Sequence, residues 1–268
     1  MDVVTDLAHG GRWTSLRHGG REWLWRREDT GRDGVEPGDT FVDAGGLEEC
    51  VPTVRGTPDH GDAWSRAWTR EGAGARVRCE RFTLRREFGA TADGVHADYV
   101  LSAEPGFRFL WAAHALLDLS EQAVVGARRG APTRLFPEAA PLVDRPWPDG
   151  APWLEGTWPA PLGLRLDRFG PDDGTAAGAV VAGGRCCVHD AGDRLSFAVE
   201  ADGQPVSVAL WRNLGGFPAG RPYRSTGVEP MLGRVFDLAD AGPDDAARVG
   251  ASGEVRWRLT VRAGCDCP

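Results

Sequence analysis

Residues 254–263, "EVRWRLTVRA", set Val255, Trp257, Leu259 and Val261 in alternation with Arg256, Arg258, Thr260 and Arg262. A period of two puts the apolar side chains on one face of a strand and the charged ones on the other, so this segment predicts a half-buried strand. Short segments of the same kind, rich in β-branched and aromatic residues and bounded by Gly, Pro or Asp, recur along the chain. They are "RWTSLRH", "REWLWRR", "RVRCERFTLRREFGA", "VHADYVLSA", "FRFLWAAHALLDL", "AVVGARR", "CCVHDAGDRLSFAVEA" and "VSVALWRN". Helical periodicity over a dozen residues is hard to find. The pattern therefore predicts an all-β chain of mainly antiparallel strands in two large packed sheets, forming one domain over residues 1–268.

Two stretches break the rhythm. Residues 130–161 carry many prolines and three tryptophans, which predicts an ordered but irregular excursion, and their side chains could build a pocket wall. "PDDAARVG", beginning at Pro243, predicts a short helix with the proline in its first turn.

The chain has 268 residues, 41% of them hydrophobic and 26% charged, which is ordinary for a globular protein. No apolar run reaches the roughly 18 residues of a membrane span, and "MDVVTDLAHGGRWTS" lacks the basic start and apolar stretch of a secretion signal. A cytoplasmic location, with no membrane partner, is the resulting expectation. The net charge of -8 speaks against a nucleic-acid partner, which would need a basic face. All basic residues are arginine, and the absence of lysine excludes Schiff-base chemistry. Cys50, Cys79, Cys186, Cys187, Cys265 and Cys267 include no CxxC spacing and read as buried or idle thiols, with a metal or redox role for the terminal "CDCP" as the minor alternative.

Three stretches hold polar groups among aromatic ones. In "GGLEECVPTVRGTPDHGDAWSRAW", His60 sits in a turn before Trp64 and Trp68, either a surface histidine beside core-anchoring indoles or a hydrogen-bonding group beside flat faces suited to a sugar ring. Glu48 and Glu49 precede it, as surface acids or as inward ones needing a partner. In "FLWAAHALLDLS", His114 interrupts an apolar strand, sharing a face with Ala112 and Leu116 while Trp111, Ala113 and Ala115 take the other. It is either a hydrogen-bonded core residue or a proton donor and acceptor near neutral pH. In "LWRNLGGFPAGRPYRSTGVEPMLG", a Gly-rich reversal brings Glu229 in after Trp211, Arg212 and Asn213, and Pro230 biases that glutamate towards extended backbone. This is an ordinary strand end, or a stiffly held reacting group.

No nucleophile elbow, phosphate-binding loop, dinucleotide fingerprint or metalloprotease helix occurs, and no metal site is expected. His9, His18, His96 and His189 stand in polar or alternating contexts without chemical company. "RREDTGRDGVEPGD" lacks calcium-loop spacing and predicts a solvated loop.

Taken in order, "GGRWTSLRHGGREWLW", "GGLEECVPTV", "HGDAWSRAW", "FLWAAHALLDL", "LWRNLGGFP", "GVEPMLG" and "GEVRWRLTVRAG" resemble the aldose 1-epimerase (galactose mutarotase-like) superfamily, and its divergent bacterial members in particular. The resemblance covers essentially the whole chain. It implies a β-supersandwich with few short helices that binds a hexose and acts without a cofactor. By motif position Glu229 resembles the family's general base on the anomeric hydroxyl, His114 its general acid on the ring oxygen, and His60 its sugar-holding histidine. Arg66, Arg212 and Asp43 stand in for the family's early arginine and mid-chain aspartate, and Trp64, Trp211 and Glu49 complete the expected sugar contacts.

The chain departs from the family around His114, where Ala113 precedes it and Ala115, Leu116 and Leu117 follow in place of an Asn and a Tyr-Phe-Asn run. The implied function is anomer interconversion of a sugar or sugar-like small molecule by a monomer or homodimer. Two alternatives stand beside it: a carbohydrate-binding protein without turnover, and the same scaffold recruited for another acid–base isomerisation or cyclisation.

Overall fold

The strand-forming segments pair into two large antiparallel sheets in the computed structural model, which describes residues 1–264. The first sheet has ten strands. Across it run Asp2–Asp6, Arg12–His18, Leu47–Cys50, Trp111–Leu117, Arg224–Leu232, Val206–Leu214, Thr175–Ala182, Pro132–Leu135 and Leu154–Thr157, with Arg21–Glu22 pairing beside Arg12–His18. The second sheet has eight, in the order Val124–Gly126, Arg185–Asp190, Asp193–Glu200, Glu254–Ala263, Gly94–Ala103, Phe82–Ala90, Gly74–Arg78 and Thr69–Glu71. Strand alternation fixes which side chains lie between the sheets. Trp111, Ala113 and Ala115 from the first meet Tyr99, Trp257, Leu259 and Val261 from the second in one apolar core.

The opposite face of the first sheet carries a smaller cluster, including Cys50, Ala112, Ala209, Met231 and Phe236. Both faces of the sheet's central strands are thus covered, and the Trp111–Leu117 strand is buried at every residue. This is why His114 sits in an apolar run rather than in a clean alternation.

The helical segments among the described residues are short 3-10 turns, at Arg32–Gly34, Pro137–Leu142, Pro161–Gly163 and Leu238–Asp240. The helix expected from Pro243 does not form. Asp245 turns inward instead, 2.7 Å from Arg134 Nη1, and accepts from the Gly242 N–H, while Ala247–Arg248 pairs as a strand with Arg108–Phe109. The excursion at 130–161 is more regular than expected, since Pro132–Leu135 and Leu154–Thr157 pair as the edge of the first sheet.

The "RREDTGRDGVEPGD" stretch is not wholly solvated. Arg32 is buried, at 2% exposure, because its guanidinium pairs with Glu48. Cys50, Cys79 and Cys186 are buried free thiols, whereas Cys187 is disulfide-bonded, which corrects the reading of uniformly idle thiols. The "CDCP" stretch lies outside the described residues. Among those residues no helix is long and apolar enough to cross a membrane.

Candidate active site

Backbone register brings Glu229 and His114 together. On either side of them, Ala112 pairs with Met231 and Leu116 with Gly227, which sets His114 opposite Glu229 across neighbouring antiparallel strands. The ladder carries no pairing at these two residues, and Pro230, which has no N–H to give, lies in the same interval. Glu48 is the partner of His114 on the other side, and Ala209 is that of Glu229. One row across the sheet therefore reads Glu48, His114, Glu229, Ala209, with all side chains on the face turned away from the second sheet.

The next row explains why there is space above that face. Gly178 pairs with Trp211, Trp211 with Gly227, and Gly227 with Leu116, so two positions without side chains flank one indole. The Glu229 carboxylate folds back over Gly227, where an added Cβ would lie 2.4 Å from Oε1. At Gly178 a Cβ would press on Arg55 and Phe236 at 3.1 and 3.2 Å. These absences open a cavity of about 650 Å³, lined among others by Phe41, Asp43, Arg55, Asp59, His60, His114, Glu138, Trp211, Phe217, Tyr223, Glu229 and Phe236.

Glu229 is 1% exposed, its Oε1 stands 3.8 Å from His114 Nε2, and its Oε2 has no hydrogen-bond partner among the described residues. Burial pushes its carboxyl above the usual 4.5, opposed only in part by the charges of His114 and Arg55. His60 stacks on Phe41 with ring centroids 3.6 Å apart and meets the His114 ring edge-on at 5.1 Å. Its Nδ1 lies 2.8 Å from Asp59 Oδ1, and since a carboxylate only accepts, Nδ1 carries the proton and Nε2 is the nitrogen that titrates. Burial holds the His60 pKa below its ordinary value, against the pull of Asp59, so this imidazole is neutral near pH 7. Asp43 accepts a short hydrogen bond from the Tyr223 hydroxyl at the cavity wall.

Of the residues expected from sequence, Glu229, His114, His60, Trp211 and Asp43 line this one cavity. Glu49, Trp64, Arg66 and Arg212 do not. Glu49 points the other way from Glu48, into the space between the sheets, where it accepts from Arg86, Tyr99 and Trp111. Arg212 alternates with Trp211 and donates to the Phe169 carbonyl and Thr175 Oγ1 instead. Trp64 is buried behind Phe41, its indole N–H given to the Asp59 carbonyl. Arg66 turns towards Asp62 and Cys79.

Sequence reading missed Phe41, Arg55, Glu138 and Tyr223. Arg55 and Glu138 form an ion pair at the cavity wall, the guanidinium 4.4 Å from the Phe236 ring centroid. They are 83 residues apart, and no local pattern links them. Glu48 is a further buried group on the His114 row. Burial raises its carboxyl to about 7 despite Arg32 and Arg12 beside it. Gly227 was legible in principle, because it shares a strand face with Glu229 two residues on. The tryptophans of 130–161 stay out of the cavity, to which that segment contributes Glu138.

A larger open cleft, of about 970 Å³ around Arg78–Thr83 and Ser102–Arg108, holds no histidine, and its carboxylates Glu80 and Glu104 are exposed. It offers no acid–base pair. No group of three or more His, Cys, Asp or Glu side chains among the described residues is set to hold a metal ion.

No protein-family model matches the sequence, and no curated protein does. Solved structures do match. The Slr1438 protein of Synechocystis sp. PCC 6803 aligns with a TM-score of 0.69 at 12% identity, over 98% of this chain and 92% of its own. A galactose mutarotase-like protein from Lactobacillus casei gives 0.60 at 14% identity, over 98% of this chain and 100% of its own. A galactose mutarotase related enzyme from Lactobacillus acidophilus gives 0.61 at 12% identity, over 99% and 95%. Near-complete coverage in both directions at such low identity makes this a likeness of architecture: the chain has the galactose mutarotase-like fold.

Proposed function

We propose that this protein is an aldose 1-epimerase-like isomerase that interconverts the anomers of a sugar, with Glu229 as general base and His114 as general acid. One observation carries the reading: a buried carboxylate with an unpartnered oxygen faces an imidazole 3.8 Å away, inside a cavity large enough for a sugar. In a pyranose, O1 and the ring oxygen O5 are bonded to the same carbon. A base and an acid that must reach both at once therefore have to stand side by side, as Glu229 and His114 do.

Glu229 takes the proton from the O1 hydroxyl while His114 gives one to O5, the C1–O5 bond breaks, and C1 becomes an aldehyde. Rotation about C1–C2 and closure on the other face, with both proton transfers reversed, gives the other anomer. Burial makes Glu229 a stronger base than an exposed carboxylate, which suits it to a weakly acidic hydroxyl. His60 and Asp43 are the polar groups beside this pair that hold sugar hydroxyls, and Trp211 offers a flat face to the ring.

The test is the rate of anomer exchange measured by NMR over a panel of hexoses and pentoses, with wild type and Glu229→Gln. The wild type is expected to accelerate exchange of at least one sugar, and the substitution to lower kcat by about 10²- to 10⁴-fold. Sugar binding without any acceleration would replace the enzyme by a binding protein, and full activity of Glu229→Gln would remove the assignment of the base.

A further inference from the structure

The cavity lining joins polar and apolar side chains. It includes the polar side chains of Glu229, His114, His60, Asp59 and Asp43 and the apolar ones of Phe217 and Pro218. Phe217 is 53% exposed and, with Val4, is one of two large apolar side chains so exposed among the described residues. Such exposure costs solvation free energy unless something covers the ring.

The loop that carries the ring is held in place. Asn213, fully buried at the end of the Trp211 strand, donates from Nδ2 to the carbonyls of Phe217 and Tyr223 at 3.0 and 2.8 Å. Its Oδ1 accepts from the N–H groups of Gly216 and Phe217 at 2.9 and 3.0 Å. A buried amide thus fastens both ends of the loop, and the Phe217 ring stands against Trp211 edge-on, with centroids 5.7 Å apart. An apolar surface fixed in advance loses little freedom when a ligand packs on it. At about 650 Å³ the cavity also falls within the range for ligands larger than a bare monosaccharide.

We infer that the sugar this site takes carries an apolar or aromatic substituent on a carbon other than C1, and that the substituent packs on Phe217 and Pro218. The inference rests on the reading above that Glu229 and His114 receive the anomeric centre. C1 must keep its hydroxyl for Glu229, so the substituent belongs elsewhere on the ring.

The test uses D-glucose, D-galactose and the 4-O-benzyl and 6-O-benzyl ethers of each, with binding measured by calorimetry and anomer exchange by NMR. Wild type, Glu229→Gln and Phe217→Ala are compared. At least one ether is expected to bind roughly 10- to 100-fold more tightly than its parent sugar, to wild type and Glu229→Gln alike. In Phe217→Ala that preference is expected to shrink to within about threefold. Equal affinity for ethers and parents in the wild type, or a preference untouched in Phe217→Ala, overturns the subsite. A Phe217-dependent preference for an ether without any acceleration of exchange keeps the subsite and overturns the isomerase reading. Failure of all six sugars to bind overturns the subsite.

Discussion

Glu229 is costly to fold around. Its carboxyl has a folded-state pKa above the unfolded 4.5, because desolvation outweighs the nearby charges of His114 and Arg55. Well below pH 4.5 the carboxyl is protonated in both states and no penalty exists. As pH rises the unfolded chain ionises first, and the folded state loses stability relative to it until the folded-state pKa is passed. Glu229→Gln, neutral at every pH, is therefore expected to be more stable than wild type by about 1–3 kcal/mol at pH 7, with the difference vanishing near pH 4. Urea denaturation at the two pH values reads this directly, and a variant no more stable at pH 7 would mean that the buried carboxylate is well compensated. In the proposed mechanism the same ionisation governs activity. The base must be charged, so kcat for a turned-over sugar is expected to rise with pH along a limb that begins above 4.5, and this limb should disappear in Glu229→Gln.

At the scale of the strand, the period of two decides which of two adjacent residues faces the cavity. Glu48 and Glu49, and likewise Trp211 and Arg212, are adjacent and point to opposite faces, so Glu49 and Arg212 fall on the face away from the cavity. Gly227 is the strand residue on which the position of Glu229 depends. Gly227→Ala places a methyl 2.4 Å from Oε1 and 3.1 Å from the Trp211 Cβ. Anomer exchange is expected to fall by about 100-fold with the far-UV spectrum unchanged, since a displacement of about 1 Å suffices for such a loss. Unchanged kcat would show that the carboxylate is not held against Gly227 during turnover.

Elements were legible where one face was wet. Glu254–Ala263 and Arg12–His18 form where alternation predicted them. Thr175–Ala182, "TAAGAVVA", was not recognised, because cover on both faces erases the alternation and leaves only small and branched residues. The predicted helix after Pro243 gave way to tertiary contacts, since Asp245 finds Arg134 across the fold.

On the scale of the molecule, Glu49 ties the two sheets together. It comes from the first sheet and meets Arg86 and Tyr99 of the second, with Arg86 Nη1 2.6 Å from Oε1. Glu49→Gln leaves a buried guanidinium without its counter-charge, and an expected loss of about 3–5 kcal/mol in stability follows. Calorimetric unfolding checks this. A Glu49→Gln protein with normal stability but altered sugar affinity would restore Glu49 to the binding site, from which its position between the sheets removes it.

By itself the sequence determined the class of fold and most of the long strands, and it marked Glu229, His114 and His60 as candidates whose roles only the family resemblance supplied. It could do so because alternation and local stiffness are properties of neighbouring residues. The tertiary structure decided the rest. Which face Glu49 and Arg212 take depends on register against distant strands. The Arg55–Glu138 pair and the Asp43–Tyr223 bond join segments far apart in the chain, and Phe41 reaches His60 only once its loop has folded over the sheet. The same holds for the 3.8 Å between His114 and Glu229, which arises from the pairing of two strands more than a hundred residues apart and is written in neither of them alone.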